Sequence, residues 1–176
     1  MFLQLFAAAF ASSYNKLPPM APEELWSPME RQYIEVDGTK VAYVDSGGDK
    51  PPLVFIHGLS SYTSFWGKNL EAFTDTHRVL ALDLPGYGAS GRPDAPCTPP
   101  WYADLVIHWL DALEVQQASF VGHSMGGQIA ITLALEHPER VEKLALSAPA
   151  GIETFDAGYG RWMKDWWHEG RAMHSG

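Results

Sequence analysis

Gly122, His123, Ser124, Met125 and Gly126 spell G-x-S-x-G, and the residues around them give the pattern its meaning. Ser119-Phe120-Val121 reads as a strand running into Gly122. Ser124 to Glu136 reads as a helix, with Ile129, Ala130, Leu133 and Ala134 on one face and Pro138 ending it. A serine on so tight a strand-to-helix turn holds its hydroxyl above the carboxyl ends of the strands. The helix N-terminus beside it offers unpaired N–H groups that favour developing negative charge. Glycine at 122 and 126 removes side chains that would strike the neighbouring strand and helix. The chemistry this suits is nucleophilic attack by Ser124 on an acyl carbonyl. The plain alternative, a serine that only caps a helix, leaves the strand and glycine context unexplained.

Other patterns carry less. Gly86, Gly88 and Gly91 give G-x-G-x-x-G after a strand-like run, which would suggest a dinucleotide site. Arg92-Pro93-Asp94-Ala95-Pro96 follows and cannot open the helix whose N-terminus would hold the phosphates. His168 and His174 are six residues apart, so they miss the helix face that a four-residue spacing would share, and no metal site is expected. Cys97, the single cysteine, lies in a proline-rich loop and reads as a free thiol.

Elements must position Ser124, and their pattern is legible. Tyr33 to Val36 and Lys40 to Val44 flank Asp37-Gly38, which suits a type I′ turn and makes a β-hairpin. Short apolar runs then alternate with helical stretches. The runs are Leu53–Ile56, Val79–Leu82, Ser119–Val121 and Val141–Ser147; the helical stretches are Ser64–Phe73, Trp101–Leu113 and Ser124–Glu136. In the second helix Leu105, Trp109, Ala112 and Leu113 form a stripe. Apolar strands alternating with helices imply a mostly parallel sheet covered on both faces.

Three motifs in order resemble the α/β-hydrolase superfamily over residues 33–151. His57-Gly58-Leu59 follows the first buried strand, Asp83-Leu84-Pro85-Gly86-Tyr87-Gly88-Ala89-Ser90 follows the next, and Gly122 to Gly127 reads GHSMGG. The resemblance implies that fold, with a mostly parallel sheet, an N-terminal antiparallel hairpin and helices on both faces. It implies that Ser124 is the nucleophile and that the backbone N–H groups of Leu59 and Met125 form the oxyanion hole. His57, Gly58, Gly122, His123 and Gly126 would shape the site, with His57 structural rather than the general base, and Asp83 a turn-former rather than the catalytic acid. The activity implied is that of a serine hydrolase on a small apolar acyl compound, a carboxylic ester first, with no cofactor. Serine at 124 disfavours the aspartate-based dehalogenases and epoxide hydrolases of similar sequence.

Serine needs a base, and in this family an acid and then a histidine follow it from later loops. His137 ends the Ser124 helix, roughly 18 Å along its axis from the serine. His168 and His174 fall in a region that reads as the start of a lid, where Trp162, Met163, Trp166 and Trp167 mark an amphipathic helix. The chain is therefore expected to be the front portion of such an enzyme, lacking the C-terminal strands, the acid and the histidine. Val141–Ser147 would then be an unpaired apolar edge. A non-catalytic binding module with a vestigial serine is the competing class.

Composition sets outer bounds. The chain has 176 residues, 46% hydrophobic and 19% charged, which is enough for one domain with a core. A net charge of −9 argues against nucleic acid as a partner. The partner expected is a small-molecule acyl substrate, and oligomeric state is not read. The apolar run from Phe2 to Ala11 is too short to span a bilayer, so no stable membrane insertion is expected. No Lys or Arg precedes it, which weighs towards a cytoplasmic chain over an exported one. Residues 1–31 read as an arm or signal remnant, 32–151 as the hydrolase core and 152–176 as the start of a lid.

Overall fold

A computed structural model describes residues 29–152. The expected hairpin is present: β1 (Arg31–Val36) pairs antiparallel with β2 (Thr39–Asp45). Asp37 and Gly38 make the turn with φ of 50° and 73°, the positive values a type I′ turn requires. The remaining strands are β3 (Pro52–Ile56), β4 (Arg78–Leu82), β5 (Ala118–His123) and β6 (Val141–Ser147). The six form one sheet in the order β1-β2-β4-β3-β5-β6. β3 pairs parallel with both β4 and β5, and β5 pairs parallel with β6. Among the described residues the only antiparallel pairs are β1 with β2 and β2 with β4.

Among the described residues two α-helices cover one face. α1 spans Pro99–Ala112 and starts earlier than the apolar stripe suggested, because Thr98 caps it and Pro99 and Pro100 fill positions where a missing N–H costs nothing. Ala112 is exposed, so the buried stripe is carried by Tyr102, Leu105, Val106, Trp109 and Leu110. α2 spans Met125–Glu136 and buries Ile129, Ala130 and Leu133. These side chains meet Val54, Ile56, Leu80, Leu82 and Phe120 in the larger of the core clusters.

The opposite face is covered differently from the expectation. In place of one helix over 64–73 there are two short 3₁₀ helices, Thr63–Trp66 and Leu70–Phe73. Gly67 interrupts the stretch, and the Thr63 side chain and N–H, both donating to Asp83, anchor its start. Trp66 and Leu70 still pack on Leu53, Phe55, Val79 and Ala81. β6 forms a sheet edge among the described residues, with Leu144 and Leu146 exposed. The region 153–176, including the aromatic stretch and the histidine pair, lies outside the described residues.

Trp109 is fully buried and meets Tyr43 edge-on at 5.8 Å between ring centroids, so it joins α1 to the hairpin. Trp109→Ala is expected to cost about 3–5 kcal/mol. Trp109→Phe should cost less, since the indole N–H has no acceptor among the described residues. Urea midpoints of the two variants check the ranking.

Candidate active site

The loops that follow β3, β4 and β5 leave the same edge of the sheet, since those three strands are parallel. Ser124 sits between β5 and α2 with φ 52° and ψ −119°, a left-handed conformation that costs a non-glycine residue on the order of 1–3 kcal/mol. Close packing imposes it. A side-chain carbon at Gly126 would lie 2.2 Å from Ile56 O and 2.5 Å from His57 O, and one at Gly122 would lie 2.5 Å from Gly126 O. Both obstacles are backbone, so neither can swing aside.

Hydrogen bonds hold the turn from the β6 side. Ser124 N–H donates to Ser147 O at 3.2 Å, and Ala150 N–H donates to Ser124 O at 2.9 Å. The Ser124 side chain makes no capping bond to α2, although it stands at the N-cap position. Its half-buried hydroxyl has no hydrogen-bond partner among the described residues.

The β3 loop lies directly against this turn. A side-chain carbon at Gly58 would stand 3.1 Å from Ser124 Cβ and 3.2 Å from His123 Cδ2. Met125 is buried at the first position of α2, and Leu59 packs its side chain against the core. Neither N–H is used in a turn or loop hydrogen bond among the described residues.

His57 is wholly buried, and both its ring nitrogens are engaged. Leu84 N–H donates to Nε2 at 3.0 Å, so Nδ1 carries the proton and donates it to Gly58 O at 2.8 Å. Burial pushes its pKa below the ordinary imidazole value, against the opposing pull of the Gly58 carbonyl and the Asp83 charge. The ring is a brace between the β3 and β4 loops.

Asp83 is the second brace, and it does more than form a turn. Its Oδ1 accepts from Thr63 N–H at 2.8 Å and Thr63 Oγ1–H at 2.6 Å, and its Oδ2 accepts from Ala89 N–H at 2.9 Å. Arg31 Nε stands 4.0 Å from Oδ2, with both side chains nearly or fully buried. Gly88, at φ 51°, leaves room for the carboxylate, because a side-chain carbon there would lie 2.2 Å from Oδ2. Ser90 Oγ accepts from Ala42 N–H and donates to Asp83 O, tying the loop to β2. Sequence reasoning missed this network; the signal was the place of Asp83 just past a buried strand and the DxxGxGxS spacing.

The other candidates are elsewhere. His137 Nε2 lies 3.2 Å from Asp104 Oδ1 at the far end of α2, where Glu136 completes a surface cluster. Cys97 is buried, and burial raises its thiol pKa, which makes it a poor nucleophile. The glycine-rich run at 86–91 meets no helix N-terminus, since α1 begins at Pro99. Among the described residues no helix is long and apolar enough to cross a membrane.

A mostly parallel sheet bearing a strand–serine–helix turn at its carboxyl edge is the architecture of the α/β-hydrolases. The chain belongs to that family: the family model for the alpha/beta hydrolase fold matches residues 51–171. The chain is 38% identical over 130 residues to 2-hydroxymuconate semialdehyde hydrolase of Pseudomonas sp. strain CF600, covering 72% of this chain and 46% of that enzyme. It is 39% identical over 129 residues to the dihydrolipoyllysine-residue acetyltransferase component of the acetoin cleaving system of Cupriavidus necator, covering 73% of this chain and 34% of that protein. The enol-lactonase of Burkholderia xenovorans LB400 superposes with a TM-score of 0.65 at 34% identity, covering 68% of this chain and 47% of the enzyme. The chain thus spans less than half the length of these relatives.

Two outcomes are expected from the braces. Unfolding free energy should fall as pH is lowered from about 6.5, the ordinary imidazole value, because the unfolded chain takes up a proton that His57 refuses. The stability is present above that pH and is lost down to the lowered folded value; urea titrations across about pH 5–8 measure it, and imidazole NMR should show His57 titrating below an ordinary imidazole. Asp83→Ala leaves Thr63, Ala89 and Arg31 facing a void, with a cost of about 3–5 kcal/mol expected by denaturation.

Proposed function

We propose that the protein is a serine hydrolase that acts on a small apolar acyl compound, a carboxylic ester first, through an acyl-enzyme on Ser124. The observation that carries this reading is the state of Ser124: it is held in a costly backbone conformation at a helix N-terminus, yet its hydroxyl caps nothing and bonds to nothing described. Strain of this kind persists where a function requires it. In this reading Ser124 Oγ attacks the carbonyl carbon as its proton passes to the general base, and the N–H groups of Met125 and Leu59 receive the oxyanion. One such donor contributes on the order of 3 kcal/mol to the transition state. The ester C–O bond then breaks, the alcohol leaves with that proton, and water hydrolyses the acyl-enzyme to release the acid and restore Ser124. No cofactor takes part.

The general base and its acid come from outside residues 29–152. His57 is locked between Gly58 and Leu84, and His137 is paired with Asp104. The relatives named above include a semialdehyde hydrolase and an enol-lactonase, which supports hydrolysis with the ester as one option among neighbouring carbonyl substrates. The front-portion reading of the chain belongs to the same proposal, since a serine without a base is a weak nucleophile. That lack of a described base is also what favours the second reading, a binding module of the same fold that does not turn its ligand over.

The test is labelling by a fluorophosphonate after a cooperative thermal transition has shown the chain to be folded. Label on the peptide carrying Ser124, lost in Ser124→Ala, is the expected result. A cooperatively folded chain that takes no label would favour the binding module or the front-portion reading, in which the base is missing.

A further inference from the structure

His123 stands next to Ser124 and touches both the end of β6 and the segment after β3. Its Nδ1 lies 3.0 Å from Ser147 O; a carbonyl only accepts, so the nitrogen donates. The same carbonyl receives the Ser124 N–H at 3.2 Å. One face of the imidazole is stacked on Phe65, with centroids 4.6 Å apart and planes 17° from parallel. Trp66 meets it edge-on at 6.4 Å. Its Cδ2 edge faces Gly58, where a side-chain carbon would come within 3.2 Å. Phe65 is 47% exposed, and the stack on His123 holds its ring in place.

We propose that His123 is a positioning residue for the nucleophile. Its hydrogen bond fixes the Ser124 turn to the end of β6, while its ring fixes the loop after β3 to that turn. The ring therefore sets the separation between Ser124 Oγ and the Leu59 N–H. This rests on the reading of Ser124 as the nucleophile, but the clamp itself is a matter of geometry and can be tested apart from it. A generic packing residue would be replaced by any side chain of similar size. A clamp with two separate jaws would be restored by halves.

Three variants separate those cases. His123→Ala loses both jaws, His123→Asn keeps a donor where Nδ1 stands, and His123→Phe keeps the flat ring alone. Hydrogen exchange is read at the Ser124 amide, at residues 58–66, and at Val41 to Val44 as a distant reference. In His123→Ala, exchange at the first two should rise about tenfold, the scale of one lost hydrogen bond, with the reference unchanged. His123→Asn should restore the Ser124 amide only, and His123→Phe the 58–66 segment only. Even acceleration across all three regions, or equal behaviour of the Asn and Phe variants, would overturn the clamp. If the Ala variant does not fold, the contrast between Asn and Phe still decides. Fluorophosphonate labelling of Ser124, run alongside, should slow in every variant. A wild-type chain that takes no label would favour the binding module or the front-portion reading of the chain, while the exchange pattern still judges His123.

Discussion

The approach of α2 to the end of β3 governs the rest of the structure. The backbone at Gly126 lies so near the carbonyls of Ile56 and His57 that no side chain fits between them. That contact brings the loop after β3 and the turn after β5 to one place. It also forces the chain to reverse within a single residue, and Ser124 bears the positive φ that results. A looser junction would relax Ser124 into an ordinary helix cap and move Leu59 away from it. Strain at the serine and closeness of the loop are thus two consequences of one packing constraint.

Polar groups in a dry interior then hold the loops in register. His57 joins the β3 and β4 loops with one ring, and Asp83 joins the β4 loop to Thr63 beyond the β3 loop. In a low-dielectric setting such bonds are strong when satisfied and costly when broken, so they select one arrangement. Neither residue reaches the hydroxyl of Ser124. Their work is to keep Gly58 and Leu59 beside the serine turn, with β6 and the loop after it supporting the serine from the other side through Ser147 and Ala150.

The relatives bear names as different as an acetyltransferase component, a semialdehyde hydrolase and an enol-lactonase. A scaffold can serve several reactions when the groups that choose the substrate lie on loops grafted onto it. The described residues contain the scaffold, the serine and the neighbouring N–H groups. Those parts suit carbonyl chemistry in general, which is why the substrate class here rests on a proposal and the fold does not.

Much of this was legible from sequence. The hairpin followed from Asp37-Gly38, the parallel strands from unbroken apolar runs, and the serine turn from two glycines flanking Ser124 between a strand and a helix. Each is a local signal, set by the φ a residue tolerates or by the period of its apolar neighbours. The helix expected over 64–73 is replaced by two 3₁₀ helices broken at Gly67, and its start is anchored by Thr63 to Asp83, twenty residues away in sequence. Local pattern also could not place β4 between β2 and β3, or show that Asp83 and His57 are braces and that His123 stacks on Phe65. Those outcomes depend on contacts between residues far apart in the chain, where burial and hydrogen-bond satisfaction decide. The sequence by itself determined which residue types were available at the turn; only the tertiary structure decided which of them touch.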